Sequence, residues 1–314
     1  MRRWLLPLLL VFCLVTPLVW AAQRLNRGAQ AGYYASQDFF SHHPWQRVLN
    51  QSMRPDGRLD LNQLKANPAP LNAYLAKLAM VSPESNPVLF PDKTDQLAYW
   101  INAHNALALR QIVNYYPVRQ LEDMPTFWSD SRYRFGGRLY SLGAIREKLK
   151  QELFQVPESY FLLSTLTASS PPLVSTALNS SNLMPLAKQQ ATAWVAQTTK
   201  VVSGECATVL LSPHFRIFQQ PIVKYMDYAA KLPSLSEEDL LEKLTETGRG
   251  DKQQPEGANA LLAFIKPLVG PDAYALIHKD CAHPVRFLDE DNTLVQVVLP
   301  PARRQPVSPM PPAP

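Results

Sequence analysis

The sequence predicts an α+β fold: a helix-rich single domain with a small, mainly antiparallel sheet, set after an N-terminal apolar helix. Three observations predict it. From Asp95 to Tyr115 apolar residues recur at helical spacing. The strand-like runs are short, and Tyr133 to Tyr140 turns back on itself at Gly136-Gly137. Helices and strands then alternate irregularly and without an internal repeat, which argues against a doubly wound parallel sheet.

The N-terminus reads as a targeting segment. Arg2-Arg3 precedes an apolar run from Trp4 to Trp20, followed by Ala21-Ala22-Gln23. A positive start, an apolar core and small residues at the exit are the parts of a secretory signal. Val19-Trp20-Ala21 permits cleavage after Ala21. Uncleaved, Trp4 to Ala22 is just long enough to span a bilayer as an anchor. Both readings export the rest of the chain, to a periplasmic location or an inner-membrane anchor facing the periplasm. A lipid anchor at Cys13 is disfavoured, because Phe12 stands where a small residue is wanted. Residues 1–22 are therefore signal or anchor, and 23–41 are a connector.

The domain runs from 42 to 299. A helix is expected over Trp45 to Ser52, a turn at Pro55-Asp56-Gly57, and a short extended piece from Arg58 to Leu61. Leu71, Tyr74, Leu75 and Leu78 mark a second helix that ends before Pro83. In the long helix, Leu97, Trp100, Ile101, Ala108, Ile112 and Tyr115 share one face, and Pro117 stops it. Leu142 to Phe154 is helical, Tyr160 to Thr167 reads as a buried strand, Leu183 to Thr198 as a helix, and Thr208 to Ser212 as a strand. Helical patterns follow at Ile222 to Lys231, Glu237 to Thr247, Asn259 to Lys266 and Asp272 to Asp280. Pro284 to Leu288 is a final strand, with Leu294 to Leu299 as a second piece. Residues 300–314 form a proline-rich, disordered tail whose only charged side chains are Arg303 and Arg304.

Composition narrows the function classes. Of 314 residues, 46% are hydrophobic and 18% charged, an ordinary globular balance. The net charge of +5 comes with no Lys/Arg cluster interleaved with aromatics, so nucleic acid is not an expected partner. Two cysteines, Cys206 and Cys281, remain in the exported part. They either pair in an oxidising compartment or stay as buried thiols.

Ala98-Tyr99-Trp100-Ile101-Asn102-Ala103-His104-Asn105-Ala106 resembles the (F/Y)-W-I-N-x-x-N-A helix of the domain of unknown function 547 family, which runs on into a tyrosine-proline. Here the run reaches Tyr116-Pro117. Further landmarks agree in order: Asp56 to Asp60, the hairpin Phe135 to Leu142, Leu211 to Phe215, and Phe287 to Leu294. The resemblance covers about Trp45 to Leu294. It also implies a pattern that this chain departs from. After the hairpin the family has isoleucine, glutamate and histidine; here stand Ile145, Arg146 and Glu147. The family then has a histidine and two cysteines on an apolar run before a proline pair. At those positions stand Tyr160, Thr165 and Ser170, ahead of Pro171-Pro172.

Thiol chemistry does not carry over. A thiol ionises near neutral pH beside an imidazole, whereas a Thr or Ser hydroxyl needs a base in hydrogen-bond reach. Arg146 is no base and Tyr160 a poor one. A serine-based rescue would need His104 or His214 to come alongside. Asn102 and Asn105, three apart on the helix, share a side and either bind a ligand or cap a neighbouring loop; His104 is expected to point elsewhere. His278 to His283 is the densest cluster of ligand-type residues, but its spacing matches no closed metal site. No metal and no cofactor are expected, and His42-His43 before Pro44 reads as loop.

The expected function is thus an exported envelope protein, a catalytically degenerate binding or scaffold module. Its site would be the remnant of Arg146, Glu147, Tyr160, Thr165 and Ser170, and its partner an envelope protein or a small ligand. The alternative is a hydrolase or transferase with a thiol-protease-like site built from non-standard residues.

Overall fold

A computed structural model of the chain describes residues 39–130, 133–152, 156–231, 254–277 and 281–297. The predicted targeting segment, the helix at Glu237 to Thr247 and the proline-rich tail lie outside these residues. Among the described residues no helix is long and apolar enough to cross a membrane.

The helices are α1 (His43–Ser52), α2 (Leu61–Ala66), α3 (Ala69–Met80), α4 (Lys93–Tyr115), α5 (Leu142–Glu152), α6 (Leu183–Thr198), α7 (His214–Lys231), α8 (Gln254–Ile265) and α9 (Pro271–Leu276). Among the described residues five strands accompany them: β1 (Tyr133–Phe135), β2 (Arg138–Tyr140), β3 (Lys200–Val202), β4 (Thr208–Leu211) and β5 (Val285–Phe287). β1 and β2 form an antiparallel hairpin. β3, β4 and β5 form a sheet in that order, antiparallel and then parallel. The architecture is helix-rich α+β with a small, mainly antiparallel sheet.

α4 is the spine. It is buried on all sides from Leu97 to Leu109 and again from Gln111 to Val113. A single apolar stripe describes a surface helix; this one lies inside the domain, wrapped by α2, α3 and α5. The expectation of one buried face was too narrow, and Tyr115, assigned to that face, is 39% exposed at the helix end. Trp45 of α1 stacks on Tyr74 of α3, with ring centroids 5.6 Å apart, and closes one side. Phe40, within the expected connector, stacks on Phe90. His42 precedes α1 as expected but is buried, its Nδ1 2.7 Å from the Tyr74 hydroxyl, and His43, expected as loop, is the first residue of α1.

The hairpin docks on the end of α3. The Gly136 N–H donates to the Leu78 carbonyl at 2.9 Å, φ there is +54°, and a Cβ would fall 2.1 Å from Ser82 Oγ. Only glycine combines that φ with that approach.

The expected strand from Tyr160 to Thr167 does not form. Pro157–Leu162 is a 3₁₀ helix, and the chain then runs irregularly. No neighbouring strand ladders against it. Its buried carbonyls go instead to the His214 ring (Tyr160), the Asn105 amide (Leu162) and the Val295 N–H (Leu166). An apolar run reports burial; it does not name the hydrogen-bond partner. Tyr160 stacks on Phe218 of α7 at 4.3 Å, and Phe161 packs on Phe215.

Other expectations shift in extent. The helix expected from Ile222 begins at His214 and takes Pro221 into its interior. α9 stops at Leu276. Leu294 onward makes isolated bridges, Thr167 to Leu294 and Leu59 to Val297, in place of a strand. Leu61 to Ala66, adjoining the expected extended piece, is helical, with Asp60 accepting the Gln63 N–H as its N-cap.

Cys206 and Cys281 are joined by a disulfide, their Cα atoms 5.7 Å apart. The bridge sits beside β4 and β5. Beyond β5, residues 288–297 stitch the domain together: their backbone bonds to Leu211, Arg119, Ala168, Leu166 and Leu59.

Candidate functional site

The loop Ser164 to Ser170 forms a wall with a cavity on one side and an open cleft on the other. It is shaped by its own hydroxyls. Ser170 Oγ accepts the N–H groups of Thr165 (3.2 Å) and Thr167 (3.3 Å), and has the Thr167 and Pro171 carbonyls at 3.3 and 3.4 Å for its proton. Ser164 Oγ accepts the Leu166 N–H at 3.1 Å, and the hydroxyls of Thr165 and Thr167 bond to each other at 3.0 Å. At the centre Leu166 has φ +62°, the left-handed region that a non-glycine residue occupies at a cost of about 1–3 kcal/mol. The Ser hydroxyls hold that conformation, as Ser/Thr side chains do in tight turns.

The cavity behind the loop is small, about 30 Å³, room for about two waters. Thr165, Thr167, Ser169 and Ser170 line it from the loop. His104 comes from α4, Arg146 from α5, His214, Ile217 and Phe218 from α7, and Glu290 and Asn292 from the segment after β5. Of the five expected remnant positions, Arg146, Thr165 and Ser170 are here. Glu147 is not: it is exposed and pairs with Lys150 at 2.9 Å. Tyr160 is not: it is buried against Phe218, and its hydroxyl donates to the Lys150 carbonyl.

Two histidines occupy the cavity wall. His104, expected to point elsewhere, is buried there. The two bonds of Asn105, Nδ2 to the Leu162 carbonyl and Oδ1 from the Ser164 N–H, fix its amide, so Oδ1 accepts the His104 Nδ1–H at 3.1 Å. That leaves His104 Nε2 as a bare lone pair without a partner. His214 Nε2–H donates to the Tyr160 carbonyl at 3.0 Å, leaving Nδ1 bare. Burial pushes both rings down to about 4, so both are neutral at pH 7. The Arg146 guanidinium lies over the Trp128 ring at 4.0 Å. Burial lowers its pKa, while Glu147 and Glu290 work in the opposite sense. Its Nε has no hydrogen-bond partner.

The cavity therefore has two neutral imidazoles, a cation and four hydroxyls, yet no imidazole nitrogen bonds to a hydroxyl. A base activates a nucleophile only from hydrogen-bond reach, and that link is missing.

Asn102 and Asn105 are spent on the chain itself. Asn102 bonds to both the N–H and the carbonyl of Leu178, at 3.1 and 2.8 Å. Asn105 serves Leu162, Ser164 and His104. Of the histidine cluster near the C-terminus, His278 to Asp280 lie outside the described residues, Cys281 is in the disulfide, and His283 Nδ1 bonds to the Ala207 carbonyl. Sequence reasoning missed Glu290 and Asn292 in the cavity, and nothing in their local patterns marks them.

On the far side of the loop lies a cleft of about 1020 Å³. It is bounded by Leu49 to Arg58, by Thr167 to Ser175, by Trp194 and Gln197 of α6, and by Val295 and Gln296. Gln296 ties its walls together: Oε1 accepts the Leu173 N–H at 2.6 Å, and Nε2 lies near the Gly57 and Leu173 carbonyls. Thr167 and Ser170 belong to both the cleft and the cavity.

An α4-centred α+β domain with a small cavity, lined by both polar and apolar side chains, behind an open cleft is the class of protein that the fold and site define. Residues 90–195 match the model of a family described as protein of unknown function, DUF547, and over that stretch the match supports the resemblance read from the sequence. The matched stretch contains α4, α5, the hydroxyl loop and most of α6. No curated protein matches the chain. No solved structure matches it either.

Proposed function

We propose that this protein is an exported envelope protein that works as a non-catalytic binding or scaffold module, with the open cleft as its binding surface. Export is supported by Arg2-Arg3, the apolar run Trp4 to Trp20 and the small residues after it. The non-catalytic reading is carried by one observation: the hydroxyl of Ser170 is consumed by the loop backbone, and no imidazole reaches it or Thr165. A hydroxyl held this way organises a turn and does not attack a substrate.

One observation favours the hydrolase or transferase reading. His104, whose Nε2 has no partner, and His214 both line a cavity shared with Thr165, Ser170 and Glu290. Their depressed pKa counts against it, because a base works best with a pKa near the operating pH. Labelling separates the two readings. The protein is treated with serine- and thiol-directed electrophiles and mapped by mass spectrometry, with Ser170→Cys as the positive control. Labelling of the cysteine variant alone supports the binding module. Labelling of Thr165 or Ser170 in the natural chain, lost in His214→Gln, would establish the enzyme. Export is checked by a reporter active only outside the cytoplasm, fused after Pro314; a silent reporter of that kind overturns it.

A further inference from the structure

We propose that the cleft is the seat of the chain's own proline-rich C-terminal segment, and that the charge-free stretch Pro306 to Pro314 lies over Trp194. The inference holds whether or not the cavity behind the cleft turns over a substrate.

The described chain ends at Val297, next to two residues that form the cleft wall, Val295 and Gln296. Its exit is fixed there. Val297 bridges in parallel to Leu59, the Gln296 carbonyl accepts the Leu59 N–H, and the Gln296 side chain binds Leu173. Val297 itself is buried, and residues 298–314 follow this wall of the cleft directly in sequence. In sequence they carry seven prolines, Arg303-Arg304 and no acid.

Such a segment favours the polyproline II conformation, which makes no internal hydrogen bonds and leaves its carbonyls free. Grooves that bind it present apolar and aromatic surface with a donor for one of those carbonyls. The cleft has both. Met53, Pro55, Pro172 and Leu173 supply the apolar surface. Trp194 supplies the ring; it is 8% exposed, and its buried Nε1–H has no partner. A buried indole N–H ordinarily finds an acceptor.

Charge sets the register. The cleft holds Arg54, and Arg58 paired with Asp56 at 2.7 Å. That balance repels Arg303-Arg304 and leaves the uncharged stretch beyond them as the part that seats. From Val297 to Pro306 is a reach of about 28 Å in polyproline II. Tethering gives the segment an effective concentration of order millimolar, so modest intrinsic affinity is enough to fill the cleft in cis. An outside partner would then have to displace it.

The test follows the Trp194 indole N–H by NMR, identified by its loss in Trp194→Phe. The full chain is compared with a chain ending at Val297 and with a full-length variant whose prolines 306, 309, 311, 312 and 314 are alanine. The resonance is expected to move, and its proton to exchange at least tenfold faster, in both altered chains. A synthetic 298–314 peptide at millimolar concentration is expected to restore the truncated chain, and the alanine peptide to fail. An indole signal identical in all three chains overturns the proposal, as does a truncated chain that ignores the peptide. A shift that grows with protein concentration in the full chain overturns the cis seat in favour of a second copy.

Discussion

The two faces of the loop Ser164 to Ser170 differ in what they leave unsatisfied. On the cavity face the polar groups are many and the space small: His104, His214, Arg146 and four hydroxyls surround about 30 Å³. On the cleft face the space is about 1020 Å³, and the surface mixes apolar side chains with backbone-tied polar ones. The cavity has reactive residue types without the contacts that would make them react. The cleft has room and an unpartnered indole donor, and of the cavity's polar groups it shares only Thr167 and Ser170. One strained loop, pinned by Ser170, serves both sides, so capacity for chemistry and capacity for binding separate across a single layer of chain.

The largest expected effect is of acid, and it enters from the cavity side. The folded His104 and His214 titrate near 4, below the ordinary histidine value of about 6.5. Below 6.5 the unfolded chain binds protons that the folded one refuses. The stability these rings contribute is full above about 6.5 and is lost as pH falls toward 4, by up to about 2–3 kcal/mol for each ring between pH 7 and 4.5. His42, depressed to about 3 by burial and by Lys77, adds the same sign outside both sites. Melting temperature followed over that range should fall steadily, and His214→Gln, which keeps a donor for Tyr160, should flatten the slope. No histidine lines the cleft, so a slope unchanged in that variant would mean the cavity is not where acid acts.

Next comes the disulfide, which bears on both faces. Cys206–Cys281 closes a loop of sequence separation 75 and tethers β5, from which residues 288–297 run on to wall the cavity and the cleft. Cys206→Ser should lower stability by about 4 kcal/mol in chemical denaturation. Denatured, unreduced protein should show no reactive thiol from this pair; two additional ones would remove the tether from the account.

The smallest effects distinguish the loop's own hydroxyls. Ser170→Ala strands the N–H groups of Thr165 and Thr167 and should cost about 1–3 kcal/mol. Thr165→Val breaks one hydroxyl–hydroxyl bond and should cost about 1 kcal/mol or less. Equal losses would show that the loop is not organised around Ser170.

Much of the scaffold is legible one segment at a time. Helical spacing announces α3, α4 and α6, and Gly136-Gly137 announces the hairpin. These signals depend on neighbours within a few residues, where backbone sterics and side-chain period do the deciding. The resemblance also implies which side chains stand where thiols and imidazoles are expected, since identity at a position needs no coordinates.

Partnership is another matter. Tyr160 to Thr167 reads as a strand because it is apolar, yet its hydrogen bonds go to Asn105, His214 and Val295, each far away in sequence. His104 stands on the apolar face expected for α4, four residues after Trp100 and four before Ala108, and only the packing of that face shows that it lines the cavity. The cleft joins stretches near 50, 170, 195 and 295. Local pattern carries the period of each stretch. Only packing of the whole chain brings those stretches together, because the apolar area to be buried and the backbone groups to be satisfied are summed over the entire molecule.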